Sequence, residues 1–324
     1  MPRIHALMAA IGVLGVLWAS GSIAPVTMAN VQHGSVNVAY AGSLEDVNNL
    51  EIGPAFEKAT GDTYQGQGGG SFGVAHEIAS HAILANVFES IGYAPIQVLE
   101  PKDTDWAFSF AASPLVVAYN PHSPFAGELN AIRQGKKPLK DLFLLMAQPN
   151  FHLGRTNPNT DPQGQAFAMM VQLAIHHYHL PPRLIGQILG PLDNPHEVYS
   201  EEGILTLLQS GGLDASSAFL SEAKERHLDY ISLPPWLNFA DPKDKPVYHQ
   251  ASLTLANHHT IHGEALTVDI TTVGKPTPQA IQFIRFVLGP QGARLMRRAG
   301  YTVFRPQLNG QLAKVPASLR SFVR

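Results

Sequence analysis

The chain has 324 residues, 15% of them charged, and a formal net charge of -3 from 22 Lys and Arg against 25 Asp and Glu. That balance leaves no basic stripe for nucleic acid and no polybasic patch for a membrane surface, so the expected partner is a small molecule or a protein, with no nucleic acid. Cysteine is absent, which excludes disulfides, thiolate metal sites and a lipid-bearing cysteine and leaves stability to the core.

Residues 1–29 read as a signal peptide: Met1-Pro2-Arg3 carries a positive charge, and an apolar run from Ala6 to Ala19 follows at once. The run is shorter than the roughly 20 residues a spanning helix needs, and Thr27-Met28-Ala29 offers a small-x-small cleavage site. The mature chain then begins near Asn30 and is expected in the periplasm. It exceeds the roughly 250 residues at which a single core stops growing, which predicts two lobes.

Residues 36–40 alternate as a short strand, and the turn Ala41-Gly42-Ser43 opens a predicted helix over 44–60. Glycines between 66 and 70 read as a loop, with Ser71 capping a helix over 72–84. Residues 87–90 and 95–99 read as short strands and 114–119 as a buried one. A helix near 127–134 and a strand at 151–154 lead into a turn rich in Asn, Pro and Asp. There Asp161 is placed as N-cap with Pro162 at the first helical position, and apolar periodicity persists to 178. Residues 203–210 and 215–227 read as helices and 230–233 as a strand. The Pro- and Asp-rich stretch 234–246 reads as a surface loop. A strand at 264–272 and helices over 278–288 and 290–299 close the chain. Alternating elements of both kinds predict an α/β fold with helices on both faces of its sheets.

Three segments share one device, a turn that delivers a Ser or an Asp to a helix N-terminus: Ala41-Gly42-Ser43, Gly70-Ser71-Phe72 and Thr160-Asp161-Pro162. Helix N-termini present unpaired N–H groups and a partial positive charge, so several converging on one cleft bind an anion without lysine or arginine. Each segment alone reads as an ordinary cap; only their combination points to a ligand. Fifteen histidines raise a metal hypothesis at His176-His177-x-His179 and His258-His259-x-x-His262. No carboxylate or cysteine completes a site there, so a surface role is preferred. His76, just inside the second serine helix, is placed near the cleft. There is no Gly-x-Ser-x-Gly elbow, no His-Glu-x-x-His motif and no phosphate loop, so no enzyme activity and no cofactor are expected.

The runs Val38-Ala39-Tyr40-Ala41-Gly42-Ser43-Leu44, Asp105-Trp106-Ala107-Phe108 and Leu115-Val116-Val117-Ala118-Tyr119, together with Gly70-Ser71, carry a resemblance. Its most specific part is Gly154-Arg155-Thr156-Asn157-Pro158-Asn159-Thr160-Asp161-Pro162-Gln163-Gly164. These stretches resemble the tungstate/molybdate-binding proteins of ABC importers, and the resemblance covers nearly the whole mature chain. It implies a type II periplasmic-binding-protein fold, with lobe 1 built from residues 30–114 plus 266–324, lobe 2 from 115–265, and a ligand cleft between them. It implies Ser43 and Ser71 as hydrogen-bond donors and Asp161 as a cleft residue. Gly42, Leu44, Phe72, Ser113, Gln163 and Ser217 join them as ligand-binding candidates.

The implied function is capture of a tetrahedral oxyanion, molybdate or tungstate first, by a monomer that delivers it to the membrane permease of an ABC importer. Alternatives are a binding protein for sulfate, phosphate or arsenate, or a periplasmic sensor or enzyme on the same fold. The chain departs from the family pattern at Gln163-Gly164-Gln165-Ala166, where members often carry Cys-Gly-Tyr-Arg. It also has Ala218 where some members carry a glutamate that coordinates the metal centre, so six-coordinate binding is not expected. A carboxylate at Asp161 repels a dianion unless it coordinates the central metal or accepts a proton from a protonated oxyanion such as hydrogen phosphate or arsenate. Capping its own helix is the remaining role.

Overall fold

A computed structural model describes residues 33–194 and 198–323, so the predicted signal peptide lies outside the described residues. Thirteen strands are described: β1 (Ser35–Ala41), β2 (Thr63–Gly69), β3 (Val87–Ile91), β4 (Trp106–Ala112), β5 (Leu115–Tyr119), β6 (Leu153–Thr156), β7 (Val198–Tyr199), β8 (Ala215–Phe219), β9 (Asp229–Ser232), β10 (Ser252–Thr254), β11 (Thr260–His262), β12 (Thr267–Thr272) and β13 (Thr302–Gly310). They form a six-stranded sheet in the order β13-β4-β12-β3-β1-β2, a five-stranded sheet in the order β7-β6-β8-β5-β9, and the ribbon β10-β11. In the first sheet β1 pairs in parallel with β2 and β3, while β12 runs antiparallel to β3 and β4. In the second, β6 is parallel to β7 and β8, and β5 is antiparallel to β8 and β9. The chain leaves the first sheet through Ser113 and Pro114 and returns to it at β12.

Helices cover both sheets. The Pro278–Leu288 helix buries Ala280, Phe283, Ile284 and Val287, and Phe283 meets Phe56 edge to face at 5.3 Å. The Pro162–His177 helix is buried on almost every residue up to Ile175, Gln163 and Gln165 included. Each large apolar side chain so enclosed contributes about 1.5–3 kcal/mol. Among the described residues no helix is long and apolar enough to cross a membrane.

Several local expectations give way to long-range pairing. Residues 66–69 are not a loop: they complete β2, which pairs with β1 from Ser35↔Thr63 to Ala41↔Gly69. The glycines are required by two tyrosine rings on that edge, since a Cβ at Gly68 would lie 2.7 Å from the Tyr40 ring and one at Gly66 2.4 Å from the Tyr64 hydroxyl. Residues 94–97 form a helical turn with Pro95 in its first positions rather than a strand. The predicted helix over 215–227 splits into the fully buried strand β8 and the Leu220–Glu225 helix. The stretch 234–246 keeps to the surface over most of its length, but it folds into short helical segments at Pro235–Asn238, Pro242–Asp244 and Lys245–Tyr248 instead of a loop. Phe239 and Tyr248, both fully buried, stack there at 4.5 Å.

Neither serine caps a helix. Ser71 is the first residue of the Ser71–Ala79 helix, whose N-cap is Gly70, and Ser43 sits within the 3-10 turn Gly42–Leu44, whose N-cap is Ala41. Asp161 does cap: its Oδ1 accepts from the Gln163 N–H at 2.7 Å.

Candidate functional site

Strands β1, β2 and β6 each end in a turn that leads toward a helix: Gly42-Ser43 after β1, Gly70-Ser71 after β2, and 157–161 after β6. These turns bound a cavity of about 230 Å³ lined by Gly42, Gly68, Gly69, Gly70, Thr156, Asn157, Thr160, Asp161, Tyr199 and Ser200. Ligands of open α/β sheets collect at such carboxyl ends of strands. The turns also touch: the Phe72 N–H donates to the Thr160 carbonyl at 3.3 Å. Gly70 permits that approach, because a Cβ there would sit 3.2 Å from the same carbonyl oxygen.

The Gly154–Gly164 motif explains how Asp161 is held. Arg155 is fully buried and its guanidinium donates to the carbonyls of Leu189, Pro191 and Leu192, tying β6 to the end of the Arg183–Leu189 helix. Asn157 accepts from the Asn159 N–H at 2.9 Å, and its carbonyl takes the N–H groups of Thr160 and Asp161. Gly164 packs its α-carbon on the end of β6, where a Cβ would be 2.3 Å from the Thr156 carbonyl oxygen.

The serines differ. Ser43 is buried and its hydroxyl has no partner among the described residues, while its carbonyl accepts from Tyr301 at 2.7 Å. It lines a second, smaller cavity of about 20 Å³ with Gly42, Glu45, Asp46, Leu205, Glu222, Glu225 and Arg226. The Ser71 Oγ accepts from the Ile91 N–H at 3.1 Å, and the Ser113 Oγ from the Ser221 N–H at 3.0 Å. Each keeps a proton to donate. Gln163 spends its amide inside the fold: Nε2 donates to Glu222 at 3.0 Å and Oε1 accepts from Ser217 at 2.7 Å. Leu44 is core, and Phe72 faces a third cavity. The structure thus brings Gly42, Ser43 and Asp161 to two cavities that share Gly42. Ser71, Ser113, Gln163, Ser217 and Leu44 are buried and line neither of these two cavities.

Two carboxyls meet through Gln163. Asp161 is raised above the usual carboxylate range by burial, against the opposing N–H groups of Gln163 and Gly164 and the Thr156 hydroxyl. Glu222 is raised chiefly by burial; the Phe219 N–H opposes this, the Asp161 charge adds to it, and Arg226 and Gln163 oppose it further.

The third cavity, about 650 Å³, includes Phe72, Ser109, Met169, Lys245, His262 and Asn309 in its lining. None of the buried polar atoms left without partners among the described residues belongs to that lining. Asn309 and Ser109 bond to Asp269, and Lys245 pairs with Glu264 at 3.0 Å. His76 is exposed, and His177 packs on Trp236 at 4.2 Å. Among the described residues no group of three His, Cys, Asp or Glu is arranged to hold a metal ion.

A family profile described as "Bacterial extracellular solute-binding protein" matches residues 36–302. The chain belongs to this family. As a solute-binding protein it is not an enzyme, and the family places it in the periplasm or outside the cell. It is 27% identical over 302 residues to an uncharacterized solute-binding protein of Petrotoga mobilis, which covers 90% of each chain. It is 25% identical over 284 residues to the molybdate/tungstate-binding protein WtpA of Pyrococcus abyssi, covering 81% of this chain and 80% of that one. Among solved structures it is similar to the periplasmic molybdate-binding protein of Azotobacter vinelandii, with a TM-score of 0.56, 18% identity, and coverage of 82% of this chain and 98% of that one. That likeness shows the fold, the type II periplasmic-binding-protein fold expected from the sequence.

In this solute-binding protein the residues that sequence reasoning missed are Thr156, Asn157, Tyr199 and above all Glu222. Reading 215–227 as one helix gave Glu222 no assigned role. Because the helix starts only at Leu220, Glu222 becomes its third residue and bonds back to the Phe219 N–H at 2.6 Å. With Phe219 as N-cap the Ser/Thr half of a capping box is missing, so the sequence carried no such signal and only the break at Phe219 exposes the Glu222 bond.

Proposed function

We propose that this solute-binding protein captures a tetrahedral oxyanion, molybdate or tungstate before others, and delivers it to the permease of an ABC importer. The observation that carries the reading is the cavity at the ends of β1, β2 and β6. Its lining has backbone turns, hydroxyls and the single carboxyl of Asp161 but no Lys or Arg, and its volume of about 230 Å³ falls below the roughly 300–1,000 Å³ of organic-ligand pockets. Neutral donors around a small cavity suit a compact, strongly hydrated dianion, which charge-assisted hydrogen bonds can hold. The molybdate/tungstate-binding relative at 25% identity supports the choice of ligand. In this reading the sheets are two hinged lobes, residues 30–114 plus 266–324 and residues 115–265. Ser43, from the adjoining small cavity, and Ser71, next to the lining residue Gly70, turn their hydroxyls to the ligand in this reading, and residues 1–29 direct export.

One observation favours a second ligand class. Asp161 keeps an oxygen, Oδ2, 3.6 Å from where a Cβ on Gly70 would stand, and an acceptor at that spot pairs with a hydrogen-bearing anion such as hydrogen phosphate or arsenate. A calorimetric panel of molybdate, tungstate, sulfate, phosphate and arsenate decides between them. The preferred anion at 100 times its Kd stabilises the fold by about 2.7 kcal/mol, visible as a thermal shift. Indifference to every tetrahedral oxyanion, with a response to an amino acid or a sugar, overturns the proposal.

A further inference from the structure

Thr156, the last residue of β6, is 1% exposed and lines the cavity of about 230 Å³ at the ends of β1, β2 and β6. Of the side chains in that lining it alone, among the described residues, has a buried polar atom without a hydrogen-bond partner, its Oγ1. The other side chains there that could serve are already engaged. Ser200 accepts from the Gly203 N–H at 3.1 Å, Thr160 donates to the Asn157 carbonyl at 3.5 Å, and Asn157 accepts from the Asn159 N–H at 2.9 Å. Asp161 is near enough for the Thr156 O–H to favour its charged form, short of a hydrogen bond. The position is also rigid. Arg155, just before it, is tied to three carbonyls, Thr156 pairs with Tyr199 of β7, and Gly164 packs against the Thr156 carbonyl.

A hydroxyl shut away from water with no acceptor is unfavourable, and proteins keep few of them. Because the wall around Thr156 is held in place, the missing acceptor has to come from the cavity. A tetrahedral oxyanion supplies one, since its charged oxygens accept and a threonine hydroxyl has a proton to give. We propose that Thr156 Oγ1 donates a hydrogen bond to an oxygen of the bound oxyanion, which makes Thr156 a ligand-binding residue contributed by the end of β6. The inference rests on the oxyanion reading of this cavity. Thr156 caps no helix and lies in none of the three Ser- or Asp-bearing turns, so rules for turns and caps pass over it.

Calorimetric titration of the purified protein with tungstate, molybdate, sulfate, phosphate and arsenate finds the anion it binds most tightly, and that anion is then titrated into Thr156→Val and Thr156→Ser. Valine is close to threonine in shape and suits a strand, but it has no proton to donate. Its affinity is expected to fall about ten- to a hundredfold. Serine keeps the hydroxyl, so Thr156→Ser should stay within about threefold of the parent. A packing role gives the reverse order, because serine loses the methyl group whose place valine fills. In urea without added anion, Thr156→Val should unfold at the parent midpoint or above it, since the hydroxyl it removes is unpaired. The proposal is overturned if Thr156→Val binds as tightly as the parent or if Thr156→Ser is the weaker binder of the two. It is also overturned if Thr156→Val unfolds earlier or does not fold, which would show the hydroxyl to be bonded within the protein, to Asp161. Failure of the parent protein to bind any of the five anions is a different result and removes the oxyanion reading itself.

Discussion

Ser43 and Ser71 occupy similar turns but have different obligations, and mutation separates them. The Ser43 hydroxyl has no partner among the described residues, so Ser43→Ala should leave the urea midpoint unchanged. Ser71 accepts the Ile91 N–H inside the first sheet, and its loss strands a buried donor at a cost of about 1–3 kcal/mol. With ligand the two converge, because each is expected to donate one charge-assisted bond, and either alanine variant should bind the preferred oxyanion about ten- to a hundredfold more weakly. Denaturation and calorimetry on the same samples check both halves. Undiminished affinity in both variants removes these serines from the site.

At the scale of elements, the junction from β6 into the Pro162–His177 helix positions Asp161. It depends on Gly164: a methyl group there meets the Thr156 carbonyl at 2.3 Å, and backbone at that distance yields only by shifting the strand or the helix. Gly164→Ala is therefore expected to cost about 1–3 kcal/mol and to weaken ligand binding as the cap moves. Gly186, inside the Arg183–Leu189 helix, has nothing within 4 Å of its Cβ position. Gly186→Ala should be neutral or stabilise by up to about 1 kcal/mol. Equal behaviour of the two in thermal unfolding would contradict the packing argument. Much at this scale was legible beforehand. The Asp161 cap followed from Asp-Pro at the head of an apolar periodicity, a rule that acts within one turn. The strand character of 66–69 did not, because it comes from pairing with β1, some thirty residues earlier in the chain.

For the whole molecule, the buried acids set the response to pH. Burial pushes Glu89 to about 7 and Asp269 to about 6, and Asp161 and Glu222 are raised for the same reason. Each holds its proton to a higher pH folded than unfolded, where Asp and Glu titrate near about 4. Between about pH 4 and about pH 7 the folded chain binds more protons, so stability must fall as pH rises through that window, by at most about 1.4 kcal/mol per unit for each group. Urea unfolding of the ligand-free protein should show its midpoint decreasing from pH 5 to pH 8. Glu89→Gln should flatten part of that slope. A midpoint that climbs with pH would contradict the assignment of these acids.

Sequence alone determined the alternation of strands and helices and the Asp161 cap, because hydrophobic periodicity and capping act over a few residues. The resemblance in the Gly154–Gly164 run pointed to the right fold, and the structure shows why that run is specific: Arg155, Asn157, Asp161 and Gly164 each answer to a contact that the neighbouring turn imposes. Tertiary structure decided what those local rules do not reach. It gave 66–69 a strand partner, broke 215–227 at Phe219, and took the capping role from Ser43 and Ser71. It also made Glu222, to which the sequence reading gave no role, a buried carboxyl linked through Gln163 to Asp161. Burial and strand pairing depend on what residues far along the chain bring to the same place, and no window of neighbouring residues contains that information.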